Sequence, residues 1–149
     1  MRWSILCILW VLIYCSTAVA SSAAPVVGTI KTLTGSVSIV RHQNVLPVKI
    51  GDRILEGDTL RTGTDGSLGT ILKDDTFISL GPNSELVISE FLFVPAEGKF
   101  SIITRMLKGT AAYLSGVIAK ISPQSVRFET PVASVGIRGT KFLVNVTDD

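Results

Sequence analysis

Turn formers interrupt the chain from Gly51 to Glu85 so often that none of the segments between them is long enough for a helix. The block reads GDRILEGDTLRTGTDGSLGTILKDDTFISLGPNSE. Between its breaks stand short runs rich in β-branched residues and leucine: Thr59 to Thr62, Ser67 to Leu72 and Thr76 to Leu80. Gly takes positive φ at no steric cost and Asp hydrogen-bonds the backbone that follows it, so each Gly-Asp pair marks a tight reversal. The pattern extends in both directions. Gly28 to Val40 predicts two strands broken at Gly35, and Leu46, Val48 and Ile50 continue the period of two. Glu85 to Val94 predicts a longer apolar strand stopped by Pro95. Phe100 to Leu107 predicts another, ending at Lys108-Gly109, and Ala111 to Leu114 a separate one. Helical spacing occurs only in Ser115 to Ile121, where a single turn before Pro123 is permitted but not required. Ser125 to Val146 predicts two strands joined by the corner Val135-Gly136-Ile137-Arg138-Gly139-Thr140. The fold class is therefore all-β, an irregular solenoid-like or sandwich-like module of short antiparallel strands with tight Gly/Asp turns. No fixed repeat length persists that would demonstrate a solenoid.

The first twenty residues read as a secretory signal peptide: Arg2 supplies the positive end, Ile5 to Tyr14 the apolar core, and Ala18-Val19-Ala20 the cleavage site. That apolar run is shorter than the roughly 20 residues a spanning helix needs. Cys15 follows Tyr14, which argues against lipidation. Cleavage after Ala20 removes both cysteines and both tryptophans, so no disulfide or Cys metal site is available to the mature chain. It leaves 13 basic against 12 acidic residues, with the signs interspersed. Such a balance makes no case for nucleic acid or an anionic membrane surface. The expectation is one domain, residues 26–146, secreted across the inner membrane with no membrane span after cleavage, and periplasmic in a Gram-negative source.

The ordered set Gly51-Asp52, Leu55-x-Gly57-Asp58-Thr59-Leu60-x-Thr62-Gly63-x-Asp65-Gly66, Leu72-x-Asp74-Asp75-Thr76, Leu80-x-Pro82-Asn83-Ser84, Leu107-x-Gly109, Phe128-x-Thr130-Pro131 and Val135-x-Ile137-Arg138-Gly139-Thr140-x-Phe142 resembles the FecR domain. The likeness runs from about Val27 to Val146. It implies an extracytoplasmic all-β module, and it implies that Gly51, Asp52, Gly57, Asp58, Thr62, Gly63, Asp75, Pro82, Gly109, Pro131, Arg138, Gly139 and Thr140 shape the family's turns. Members that regulate iron transport carry a cytoplasmic segment acting on a sigma factor. This chain has a signal peptide in that place, so the sigma-factor role does not transfer.

No catalytic constellation emerges from the residue pattern. Asp52, Asp58, Asp65, Asp74 and Asp75 are turn residues before they are calcium ligands, because a hard-cation site needs several oxygens converging on one point. His42, the only histidine, sits in the polar stretch Arg41-His42-Gln43-Asn44 and reads as a solvated loop residue. Glu85, Glu90, Glu97 and Glu129 offer no pair with a reason to act as acid and base. VGIRGTKF lacks the Gly-Lys-Ser/Thr ending of a phosphate loop. Arg138 is positioned either to meet an anionic ligand or to pair with a carboxylate such as Glu129. Phe91-Leu92-Phe93-Val94 departs from clean alternation, which makes Phe91, Phe93 and Val94 the candidate partner-binding residues. The expected function is non-enzymatic binding, without cofactor or metal, of another envelope protein or polymer. A module sensing a small ligand or glycan beside a separate signalling protein is the alternative.

Overall fold

Twelve strands and one short helix occupy residues 22–139 and 141–147, the residues that this computed structural model describes. The segment expected to be a signal peptide and Thr140 lie outside them. In chain order the strands are β1 (Val26–Thr34), β2 (Val37–Arg41), β3 (Asn44–Pro47), β4 (Arg53–Leu55), β5 (Thr59–Thr62) and β6 (Ser67–Leu72). They continue as β7 (Phe77–Leu80), β8 (Glu85–Val94) and β9 (Lys99–Leu114). After the helix α1 (Val117–Ile121) come β10 (Val126–Glu129), β11 (Ser134–Gly136) and β12 (Lys141–Val146). The all-β expectation holds, and the permitted helical turn forms as α1.

Strand β9 organises everything else, because its two halves belong to two different sheets. Its first half pairs with β8 on one flank, and the ladder runs on through β5 and β2 to β3. The other flank of that half takes β10 in parallel, with β11 beyond it. The second half pairs with β7, leading through β6 and β1 to β4, and takes β12 on the opposite flank. The result is a half-barrel curled around one core. Inward-facing Ile30, Ile39, Leu68, Ile78, Leu86 and Ile102 are fully buried in it. Alternation along each strand places them there, and their burial is the main favourable term holding the sheets together.

Three local expectations change. The predicted break at Lys108-Gly109 is a bend inside one 16-residue strand. The register shifts there so that Leu107 is an extra residue opposite Glu85 and Leu86. Gly109 has φ +91°, and a side chain at that position would run into Ser84. Ser84 fastens the bend, its Oγ accepting from the Thr110 N–H at 2.9 Å. Secondly, β3 ends at Pro47, and Ile50 lies exposed in a turn, so the period of two stops before it reaches the core. Thirdly, the C-terminal corner is not wholly a turn: Val135 and Gly136 belong to β11, which makes three strands of the predicted two.

Candidate functional site

Asp52, Asp58, Asp65 and Asp74 each accept at least one backbone N–H. Asp52 accepts from the Lys49 N–H at 2.9 Å and Asp65 from the Ser36 N–H at 3.2 Å, a bond that holds the exposed Asp65 carboxyl below its usual range. Asp58 is buried, accepts the Leu55 N–H at 2.8 Å and receives the Arg41 guanidinium on both oxygens, at 2.8 and 2.6 Å. Asp74, also buried, accepts from the Thr76 N–H and hydroxyl and from the Ile118 N–H, tying the β6–β7 turn to α1. Asp75 takes positive φ in the same turn. Among the described residues no three His, Cys, Asp or Glu side chains group as a metal site.

The other residues of the family pattern also sit in turns or seams. Gly51, Gly57 and Gly139 take positive φ, the Thr62 hydroxyl donates to the Gly81 carbonyl at 2.6 Å, and the Gly63 N–H reaches the Ser36 carbonyl at 2.8 Å. Pro82 precedes Ser84, whose hydroxyl donates to its carbonyl at 3.1 Å. His42 and Gln43, both at positive φ, form the two-residue reversal between β2 and β3, with His42 in water. Glu129 stands opposite Arg105 in the parallel pairing of β9 and β10 and binds it at 3.0 and 3.2 Å, with Arg127 at 4.0 Å. The carboxylate expected to meet Arg138 is thus already held by two other arginines. Arg138 itself is exposed next to buried Ile137.

Along β8 the candidate strip divides. Phe91 is only 7% exposed and belongs to the core, while Phe93 and Val94 are half-buried, Phe93 with its ring 6.1 Å from that of Phe100. Leu92, at 39%, is the residue that faces water. The Phe91 N–H is taken by the Glu56 carboxylate at 2.9 Å, which closes that stretch of the strand's outer edge.

A different flank is open. On the β10 and β12 side of β9, pairing with β10 stops at Arg105 and pairing with β12 begins at Gly109, so Met106, Leu107 and Lys108 have no strand partner there. The gap is a cleft of about 450 Å³ lined by Leu107, Thr130, Pro131, Val132, Val144, Asn145, Val146 and Thr147. Val132 is 93% exposed on a turn fastened by the Thr130 N–H and the Ala133 carbonyl, at 2.8 Å. Behind the cleft, the rings of Tyr113, Phe128 and Phe142 clamp β9, β10 and β12 together, with centroids 5.0 to 5.9 Å apart. Burial raises the Tyr113 hydroxyl pKa far above its ordinary value. That hydroxyl lies close to those of Thr76 and Thr104 without the geometry of a hydrogen bond, and the Thr104 hydroxyl is also left without a partner.

On the outer face next to this cleft, Ser79, Ala112 and Leu143 form one cross-strand row, and Phe77, Leu114 and Lys141 the next. Leu143 is 73% exposed. Sequence reasoning did not single out Leu143; the signal was there in the alternation of Phe142, Val144 and Val146, which sets a leucine at 143 on the opposite face, where a polar residue is usual.

No curated protein and no solved structure gives a significant match to the chain. The model of the family described as FecR protein matches residues 58–149, more than half of the chain, from the buried Asp58 through β9 to the C-terminal corner and β12. The matched strands β5 and β6 pair directly with β2 and β1, which precede the match. By that match the chain belongs to the FecR protein family, membership of which implies a role in cell-surface signalling.

Proposed function

We propose that this FecR-family chain is a non-enzymatic, extracytoplasmic binding module that docks another envelope protein in a signalling pathway. The observation that carries the reading is the cleft beside Leu107, where β10 and β12 part and Val132 stands in water among apolar Leu107, Pro131, Val144 and Val146 and polar Thr130, Asn145 and Thr147. Exposed apolar groups concentrated on one flank of a rigid sheet suit a protein partner better than they suit chemistry. The leader at residues 1–20 supports export, with the periplasm as the compartment in a Gram-negative cell. Crosslinking in intact cells, comparing the wild-type chain with Val132→Asp and Leu107→Asp, tests the assignment. Loss of one defined crosslinked band in both variants, with unchanged circular dichroism, is expected. An unchanged set of bands overturns it.

The volume of the cleft also favours a second reading, in which it holds a small envelope ligand. Thermal-shift titration with cell-wall fragments and siderophores separates the two readings: a saturable rise in melting temperature that Val132→Asp abolishes selects the small ligand.

A further inference from the structure

We infer that the outer edge of β12 is a self-association site, where a second copy of this chain adds its own β12 in antiparallel register. Val144, Asn145 and Val146 of this strand also line the Leu107 cleft, but the variants that read out the two sites differ, and either assignment stands if the other fails. Along β12 all six residues, Lys141 to Val146, pair with β9 without a register shift, and among the described residues no strand pairs with the opposite edge. A row of unsatisfied backbone N–H and C=O groups is itself the recognition chemistry for another strand.

Among the described residues the other edge strands are short, irregular or capped. β3 is four residues long and ends in Pro47. β4 has three residues, begins with Arg53 and lies against an irregularity in β1. β11 also has only three. The outer edge of β8 is capped where Glu56 takes the Phe91 N–H. By contrast, β12 is longer, regular and free of Pro, with Lys141 as its single charge.

The occupant follows from the strand's own pattern. Two copies related by a two-fold axis perpendicular to the sheet keep their outer faces on the same side, so the axis must pass through a residue of β12 rather than between two. Centred on Leu143, the pairing sets Leu143 against its own copy and Lys141 against Asn145 on the wet face, with Phe142 against Val144 on the core face. That register covers the most exposed apolar residue of the strand with its like and never opposes Lys to Lys. Centring on Phe142 places Lys141 against Leu143, and centring on Val144 places Leu143 against Asn145. Both leave the leucine without an apolar partner.

Site-specific crosslinking of the exported chain tests the register. Leu143→Cys or Asn145→Cys introduces a thiol, with Cys7→Ser and Cys15→Ser removing the natural ones from any chain that keeps its first twenty residues. Opposed residues bring their Cβ atoms within about 4.5–5.5 Å, so mild oxidation is expected to yield a covalent dimer from Leu143→Cys and none from Asn145→Cys. A mixture of Lys141→Cys and Asn145→Cys chains is expected to yield the crosslinked heterodimer. In sedimentation equilibrium Leu143→Lys, a change at an exposed position whose unaltered circular dichroism is checked alongside, is expected to weaken dimerisation at least tenfold. A wild-type chain that remains monomeric at every concentration overturns the proposal. So does a dimer indifferent to Leu143→Lys, or one that crosslinks equally from both single-cysteine chains.

Discussion

Asp58 gathers three hydrogen bonds onto one buried carboxylate, two from Arg41 and one from the Leu55 N–H, and so joins the end of β2 to the turn between β4 and β5. Asp58→Asn keeps an acceptor for the backbone but strands the guanidinium. The expected loss is about 2–3 kcal/mol, below the range for a fully buried pair because Arg41 retains contact with water. Urea midpoints for Asp58→Asn and Arg41→Met, singly and together, check it: the double variant is expected to lose less than the sum. Tyr113 presents the opposite case, a buried hydroxyl without a partner. Its removal in Tyr113→Phe is expected to be neutral or to stabilise by up to about 1 kcal/mol at pH 7. Burial raises the folded-state pKa, so this tyrosine's contribution is complete below the unfolded pKa near 10 and is lost as pH rises above it. Thermal melts of wild type and Tyr113→Phe between pH 9 and pH 11 are expected to show the steeper alkaline decline in wild type. At this scale the sequence is legible wherever cause and effect are close together. Asp52 acts within the turn that its own composition announces, whereas the partners of Asp58 and Asp65 lie 17 and 29 residues away and nothing local names them.

Gly109 decides whether β9 is one strand or two. Composition alone reads a Lys-Gly pair as a stop, yet the chain bends there and continues, because a ladder on each flank holds it and Ser84 fastens the bend. Gly109→Ala combines a positive φ with a clash against Ser84, and a loss of about 2–4 kcal/mol is expected from the urea midpoint. A loss below 0.5 kcal/mol would mean that the bend is not under steric control. The β8 strip gives a second contrast between neighbours. Phe91→Ala empties a core position and is expected to cost about 3–5 kcal/mol, while Leu92→Asp on the wet face is expected to stay within about 0.5 kcal/mol. Differential scanning calorimetry distinguishes them directly. The run FLFV conceals this division because all four of its residues look alike as hydrophobes. Only the register shift between Ile88 and Glu90 sets which of them point inward.

For the molecule as a whole, two sheets hung on one strand should not come apart separately. Amide exchange at Ile39 in the first sheet and Leu68 in the second is expected to report the same opening free energy, within about 1 kcal/mol, under conditions where exchange follows global unfolding. A larger gap would show that each half of β9 holds its sheet independently. The class of fold was legible because turns recur and strands alternate. The sharing of β9 was not, since a parallel neighbour such as β10, reached through α1 and a loop, leaves no periodic trace. The same sharing governs how the protein carries tension. Ladder bonds to antiparallel neighbours lie across the strand axis, so a pull along β9 is resisted by the bonds to β7, β8 and β12 in shear, all at once. A pull on β3 or β4, at the far ends of the sheets, peels bonds one after another. A force applied to this module would therefore find a stiff spine and soft margins, and the margins would yield first.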